Sequence, residues 1–293
     1  MRQFFIKAGE QLVTDVKSGT LYLVATPIGN LSDISARALK TLEDVDFIAA
    51  EDTRVTRKLL EHYKIKKELV SYFQHNIRTS GEKILARIID GKNCALVTDA
   101  GVPGVSDPGE ALVRSCADLG IKINIIPGPS AVVSALAVSG LATERFTFEG
   151  FLSVDKKKRT EHLNELKNEK RTMVLYEAPH RLKRSLRDLY KTFGDRHVSI
   201  SREMTKIYEE TLRLTLSEAI DHFDHKPPKG EFVLVIEGIS NTADPEDKLE
   251  EAIEIATALV TKGMSSRDAV KKAADDTGCS RNALYKIMLN KPK

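Results

Sequence analysis

Five times along this chain a short apolar run ends in a loop of glycine, proline or polar residues. The longest such passage is Leu96-Val97-Thr98-Asp99-Ala100-Gly101-Val102-Pro103-Gly104-Val105-Ser106-Asp107-Pro108-Gly109. A loop of this kind has no apolar face to bury. Its glycines let a backbone come close to a ligand, and its prolines hold it rigid. The other loops are Thr26-Pro27-Ile28-Gly29-Asn30-Leu31, Glu51-Asp52-Thr53-Arg54, Pro127-Gly128-Pro129-Ser130-Ala131 and Glu177-Ala178-Pro179-His180-Arg181. In open α/β sheets ligands bind in the crevice outside the carboxyl ends of the strands. Five loops at strand ends therefore read as the walls of one small-molecule cleft.

The apolar pattern supplies the elements behind those loops. Strands are expected at 20–26, 46–50, 68–72, 93–98 and 121–126, alternating with helices at 32–42, 53–63, 80–90 and 109–119. Ser32 is the candidate N-cap of the first helix, with Ile34, Ala38 and Leu42 on one face. This alternation predicts a largely parallel sheet covered by helices on both faces, over residues 19–128. A small-residue helix at 130–141 then opens a second α/β unit, residues 129–239. Its strands, at 146–151, 172–176, 198–202, 209–215 and 232–237, follow one another closely enough to predict a mixed sheet. Helices are expected there at 157–169, 180–192 and 216–223. Residues 240–248 read as a linker, with Asn241, Asp244 and Pro245. Residues 249–293 read as a small all-helical unit with helices at 249–260, 266–276 and 280–289. Ser266 is a candidate cap, and Thr277-Gly278-Cys279 makes the tight turn of a helix-turn-helix. Residues 1–18 form an extension without the apolar stretch of a signal peptide.

Charge and cysteine content narrow the function classes. The 293 residues carry a formal net charge of only +3, but the basic side chains cluster. Residues 262–293 hold eight Lys or Arg against three Asp. Two further runs are Lys156-Lys157-Lys158-Arg159 and the group Arg181, Lys183, Arg184 and Arg187. Uneven basic patches on a nearly neutral chain point to a polyanion partner. Cys94, Cys116 and Cys279 are few, odd in number and far apart, which predicts reduced thiols in the cytoplasm and no zinc site. No metal is expected, and no run is apolar and long enough to span a bilayer. There is no G-x-G-x-x-G, no phosphate-binding G-x-x-x-x-G-K-[ST], no H-E-x-x-H and no G-x-S-x-G.

These loops, together with Phe148-Glu149-Gly150-Phe151-Leu152 and Arg202-Glu203-Met204-Thr205-Lys206, resemble the tetrapyrrole (corrin/porphyrin) methylase superfamily, in its branch that acts on small-subunit ribosomal RNA. The likeness spans about residues 19–290. Val102, Ser153 and Met204 stand where that branch usually has Thr, Pro and Leu. The resemblance implies two α/β domains holding S-adenosylmethionine between them, and a homodimer. It implies 2′-O-methylation of a cytidine ribose in 16S rRNA, in the decoding region, on free rRNA or the 30S subunit. Carried over by motif, the cofactor loops fall on Pro27, Asp99, Ala100, Gly101, Val105, Ser106, Ser130, Ala131, Tyr176 and Glu177.

Methyl transfer to a ribose hydroxyl needs a base for a poor nucleophile. Candidate bases are Asp52, Glu177 and Glu51, with Glu203 behind them. RNA phosphates are expected on Lys156, Lys157, Lys158, Arg159, Arg181, Arg184, Arg281 and Lys286. Two other readings stay open at this point: a methyltransferase acting on tetrapyrrole carbons, and an RNA-binding protein without catalysis.

Overall fold

The structure is a computed structural model that describes residues 19–239 and 245–290. The first unit alternates β1 (Thr20–Val24), α1 (Ala36–Asp44), β2 (Phe47–Ala50), α2 (Thr53–His62), β3 (Glu68–Ser71), α3 (Ile77–Ile89), β4 (Cys94–Val97), α4 (Gly109–Asp118) and β5 (Lys122–Ile126). All pairings are parallel, in the order β3-β2-β4-β1-β5. The period-2 pleat sorts the side chains onto two cores. Leu21, Phe47, Ala49, Cys94 and Leu96 face α3 and α4 residues such as Ile84 and Leu112. Val24, Ile48, Ala50, Ala95 and Val97 face Ala38, Leu42, Leu59 and Leu60. Burial on both faces is why these strands read as continuous apolar runs.

The second unit contains α5 (Ala131–Val138), β6 (Phe146–Phe151), α6 (Lys156–Leu166), β7 (Thr172–Glu177), α7 (Pro179–Phe193), β8 (His197–Arg202), β9 (Glu210–Thr215), α8 (Leu216–His225) and β10 (Phe232–Ile236). Its sheet runs β6-β7-β10-β8-β9, with β6 and β7 parallel and the other pairs antiparallel. One face packs on α6, α7 and α8 through Leu163, Leu182, Leu186 and Phe223. The other face takes Val132, Ala135 and Leu136 of α5, joined by Ile28 from the loop after β1. The first unit therefore supplies part of the cover of the second sheet.

The third unit packs α9 (Pro245–Thr261), α10 (Ser266–Thr277) and α11 (Arg281–Asn290) around Ala252, Ala256, Val270, Ala273, Ala274 and Leu284. Gly278, at φ 70°, is the left-handed cap that ends α10.

Three helix starts differ from the expectation by more than one residue, those of α1, α9 and α3 (Ile77 rather than Ser80), and the cap of α10 differs as well. Leu31–Asp33 is a short 3-10 turn, because the Asn30 side chain captures the Ser32 N–H. The cap of α1 is Ser35, one turn later, whose hydroxyl accepts from the Ala38 N–H at 3.1 Å. In the same way Ser265, not Ser266, caps α10 by accepting from Asp268 N–H. Helix α9 begins at Pro245, inside the expected linker, as suits proline in a first helical turn. Residues 1–18 and 240–244 lie outside the described residues.

Candidate active site at the strand ends

The carboxyl ends of β1 and β4 meet at the centre of the first sheet. Thr26 and Gly101 form an isolated antiparallel bridge, with N–H···O distances of 2.9 and 3.0 Å. The Thr26 hydroxyl also donates to the Thr98 carbonyl at 3.1 Å. Gly101 sits at φ 86°, a conformation L side chains rarely adopt. A Cβ there would lie 3.6 Å from the Ile28 side chain and 3.7 Å from the Pro129 carbonyl oxygen. Gly128 lies over Ala25, where a Cβ would come within 3.0 Å of the alanine methyl. Three of the five loops are thus laced together by main-chain contacts.

Asp107 closes the rest of the long loop. Its carboxylate accepts from Gly104 N–H at 2.8 Å and Gly109 N–H at 2.7 Å. Burial raises its pKa nonetheless, against those two donors. This clamp puts Ser106 at φ 62° and points it at the other unit. A Cβ on Gly150, in the bulge of β6, would lie 3.0 Å from the Ser106 hydroxyl oxygen. Sequence reasoning gave Asp107 no role. The signal was its place between Gly104 and Gly109, a carboxylate inside a turn of bare N–H groups.

The three candidate bases have different surroundings. Asp52 caps α2 and is gripped by Arg54 through its backbone N–H at 2.8 Å and Nη2 at 2.6 Å. Those bonds lower its pKa to about 2. Glu177 is only 3% exposed. Its oxygens accept from the Ser185 hydroxyl and the Ala178 N–H, with the Arg181 guanidinium 3.2 Å away. Glu51 accepts from the Thr98 hydroxyl at 2.5 Å and from Asp99 N–H at 3.4 Å, both through Oε2. Its Oε1 has no hydrogen-bond partner among the described residues. Asp99 stands beside it and accepts from Asp52 N–H at 3.1 Å. Burial, reinforced by the Glu51 charge, raises the Asp99 pKa. Glu203 lies on the far wall. Burial lifts its pKa, but bonds from Lys206 and Glu231 N–H outweigh that and leave it lowered.

The other expected cofactor residues line the same region. Pro27, Ser130 and Ala131 are half-buried, whereas Ala100 and Val105 are exposed. Ser130 caps α5 by position only, since its side chain makes no capping bond. Tyr176 is half-buried between Phe148 and Phe151, with ring centroids 5.0 and 5.4 Å away, and burial raises its phenol pKa.

The basic residues divide. Lys156, Lys157, Lys158, Arg184 and Lys286 are exposed, and Arg281 is exposed but paired with Asp275 at 3.0 Å. Arg159 is not the solvated cation its basic run suggested. It is 4% exposed and donates to Asp188 and to the carbonyls of Ser153 and Val154. Its aliphatic stem falls on the buried face of α6, with Leu163 and Leu166. Arg181 is also largely inside, held by Glu177 and the Leu152 carbonyl. Among the described residues there is no cluster of three or more His, Cys, Asp or Glu fit to hold a metal, and no helix long and apolar enough to cross a membrane.

A family model described as tetrapyrrole (corrin/porphyrin) methylases matches residues 20–220. A Halalkalibacterium halodurans protein named ribosomal RNA small subunit methyltransferase I is 48% identical over 272 residues, covering 92% of this chain and 94% of that one. Its Escherichia coli O157:H7 namesake is 42% identical over 278 residues, 94% of this chain and 96% of that one. A Thermotoga maritima protein of the same name is 50% identical over 220 residues, 75% of this chain but 99% of its own length. Among solved structures, a cobalt precorrin-4 methyltransferase superposes with TM-score 0.56 at 21% identity, covering 77% of this chain and 98% of that one. Diphthine synthase gives 0.57 at 15% identity, with 75% and 90% covered. At such identities these two structures speak for the fold.

Proposed function

The chain belongs to the tetrapyrrole (corrin/porphyrin) methylase family, and from that premise we propose that it methylates the RNA of the small ribosomal subunit with S-adenosylmethionine. The observation that carries this reading is the 48% identity, over nine-tenths of both chains, to a protein named for that reaction. The finer proposal is that the acceptor is the 2′-hydroxyl of a cytidine in 16S rRNA, and that the working form is a homodimer in the cytoplasm.

The strand-end loops suit the cofactor. Gly101, at φ 86°, and Gly128, close over Ala25, let the loops meet at the strand ends with bare backbone. Pro27, Asp99, Ala100, Gly101, Val105 and Ser106 would hold the cofactor from the first unit. Ser130, Ala131, Tyr176 and the Glu177 backbone would hold it from the second. When bound, the cofactor supplies an electrophilic methyl on a sulfonium that is already a good leaving group, so positioning contributes most of the catalysis.

The chain's own task is to orient the hydroxyl and accept its proton. Glu51 fits that role best, because it stands at the strand end with one oxygen anchored and the other free. Asp52 is too weak a base at a pKa of about 2. Glu177 is a buried strut whose oxygens are engaged. The solvent-facing lysines 156–158, Arg184, Arg281 and Lys286 would meet RNA phosphates.

The direct test is to map ribose methylation in 16S rRNA from cells with and without the protein, and to repeat it with purified protein and 30S subunits. One cytidine should gain a 2′-O-methyl group. Transfer to a tetrapyrrole instead, or to no nucleotide, rejects the reading.

A further inference from the structure

A second concavity lies behind the carboxyl end of β7, outside the cofactor cradle. It encloses about 260 Å³ and is lined by Val154, Arg159, His180, Arg181, Arg184 and Ser185, from the start of α6 and the first turns of α7. Three guanidinium groups and an imidazole around one cavity of this size are hard to explain by folding alone.

A buried guanidinium must satisfy its five N–H donors or pay a desolvation cost. Arg159 uses Nε on Asp188 at 2.8 Å and Nη1 on the Ser153 and Val154 carbonyls at 3.0 and 3.2 Å. Its Nη2 has no acceptor among the described residues and keeps access to solvent where the otherwise buried residue borders the cavity. Arg181 repeats the pattern. Nε faces Glu177 at 3.2 Å and Nη2 donates to the Leu152 carbonyl, while Nη1 has no acceptor among the described residues. Arg184 is the exposed member, 4.0 Å from Asp188, and His180 is exposed beside it. Both nearby carboxylates are already engaged, Asp188 between two arginines and Glu177 by Arg181 and Ser185. They hold the two guanidinium groups in place beside the cavity and leave one nitrogen of each without an acceptor among the described residues.

We propose that this cavity is a phosphate site, which takes one backbone phosphate of the substrate RNA and so sets the register of the strand against the methyl-transfer cleft. Planar guanidinium forks match phosphate oxygens better than point charges do. The exposed Lys156 and Lys157 border a neighbouring surface hollow whose charge Asp155 and Glu161 balance, so the guanidinium cavity carries the proposal by itself. Tyr176, placed in the cofactor cleft, immediately precedes Glu177, so one strand end serves both places. The inference rests on RNA being the substrate.

The test uses full-length protein and 30S subunits from cells lacking this protein, with binding measured by filter retention between about 50 and about 200 mM salt. Arg184→Ala should weaken subunit binding about tenfold and lower the salt slope by about 1. His180→Ala should weaken binding in the same direction. Arg78→Ala removes an equally positive, exposed side chain from α3, and should leave both readings within about twofold. S-adenosylmethionine affinity, titrated separately, should be unchanged in all three. Arg159→Lys keeps the charge but loses the fork, so it should behave like Arg184→Ala; where it fails to fold, Arg184→Ala decides. Equal effects of Arg184→Ala and Arg78→Ala, or an unchanged slope, overturn the phosphate site. If wild-type protein transfers no methyl group to the subunits, the RNA reading itself fails.

Discussion

Asp52 and Asp99 touch through a single hydrogen bond, yet their proton affinities move in opposite directions. Arg54 holds Asp52 at about 2, and burial beside Glu51 pushes Asp99 up. A raised carboxyl pKa means that the folded chain binds the proton more tightly than the unfolded one. Stability then falls as pH climbs from the usual carboxylate range through the folded value. Asp99→Asn removes that fall while keeping an oxygen to accept the Asp52 N–H. The variant should melt at the same temperature as wild type or slightly higher at pH 7, with the gap closing below about pH 4. If Asp99 holds the cofactor as proposed, the variant should also bind S-adenosylmethionine more weakly. Calorimetric melts and titrations check both, and a variant less stable than wild type at pH 7 would reverse the assignment. Glu51→Gln tests the base. Turnover should drop by roughly 100-fold or more, as for loss of a general base, with cofactor affinity kept. A loss under about tenfold would remove Glu51 from that role. Which carboxylate does what was not legible in the chain. Glu51, Asp52, Asp99 and Glu177 are equivalent as letters, and only their donors separate them: Thr98 for Glu51, Arg54 for Asp52, Ser185 and Arg181 for Glu177.

At the scale of elements, the strands were legible because the chain buries both faces of β1, β2 and β4, leaving unmistakable apolar runs such as Phe47-Ile48-Ala49-Ala50. The first helix starts later than expected because the Asn30 side chain captures the Ser32 N–H and Ser35 becomes the cap, while α10 keeps its start and only its cap moves from Ser266 to Ser265. The cleft between the two units was expected, but the contacts that bring them together were not legible. The loop after β1 lies against the loop after β8, where a Cβ on Gly29 would come 2.7 Å from the Met204 carbonyl oxygen and 2.6 Å from the Lys206 side chain. That second loop holds Glu203 and Thr205 at φ 52° and 63°, so it has little freedom to retreat. Gly29→Ala should therefore cost about 1–3 kcal/mol in denaturant unfolding, as overpacking does. It should also weaken cofactor binding, because Pro27 and Ile28 would move with the loop. Wild-type stability and affinity would mean that the loops part freely.

For the whole molecule, the proposed function gives the α/β pair the chemistry and part of the hold on RNA, and the helical unit the rest. The helical unit has an alanine-rich core and about 45 residues, too few to be robust alone. It nevertheless carries Arg281 and Lys286 on exposed positions. The Thermotoga maritima relative matches 220 residues at nearly its full length, so the match cannot include both α/β units and the helical unit. A chain ending at Ile239 should accordingly fold and bind S-adenosylmethionine like the full chain. Its affinity for 30S subunits should fall, and its salt slope should shrink by about 0.7–0.9 for each phosphate that the helical unit neutralises. The phosphate cavity between α6 and α7 remains in the shortened chain, so Arg184→Ala should still weaken what binding is left. An unchanged slope would place the helical unit off the RNA, as a prop for the second sheet or a contact between subunits. Loss of cofactor binding would show instead that the α/β pair depends on its helical neighbour to close the cleft.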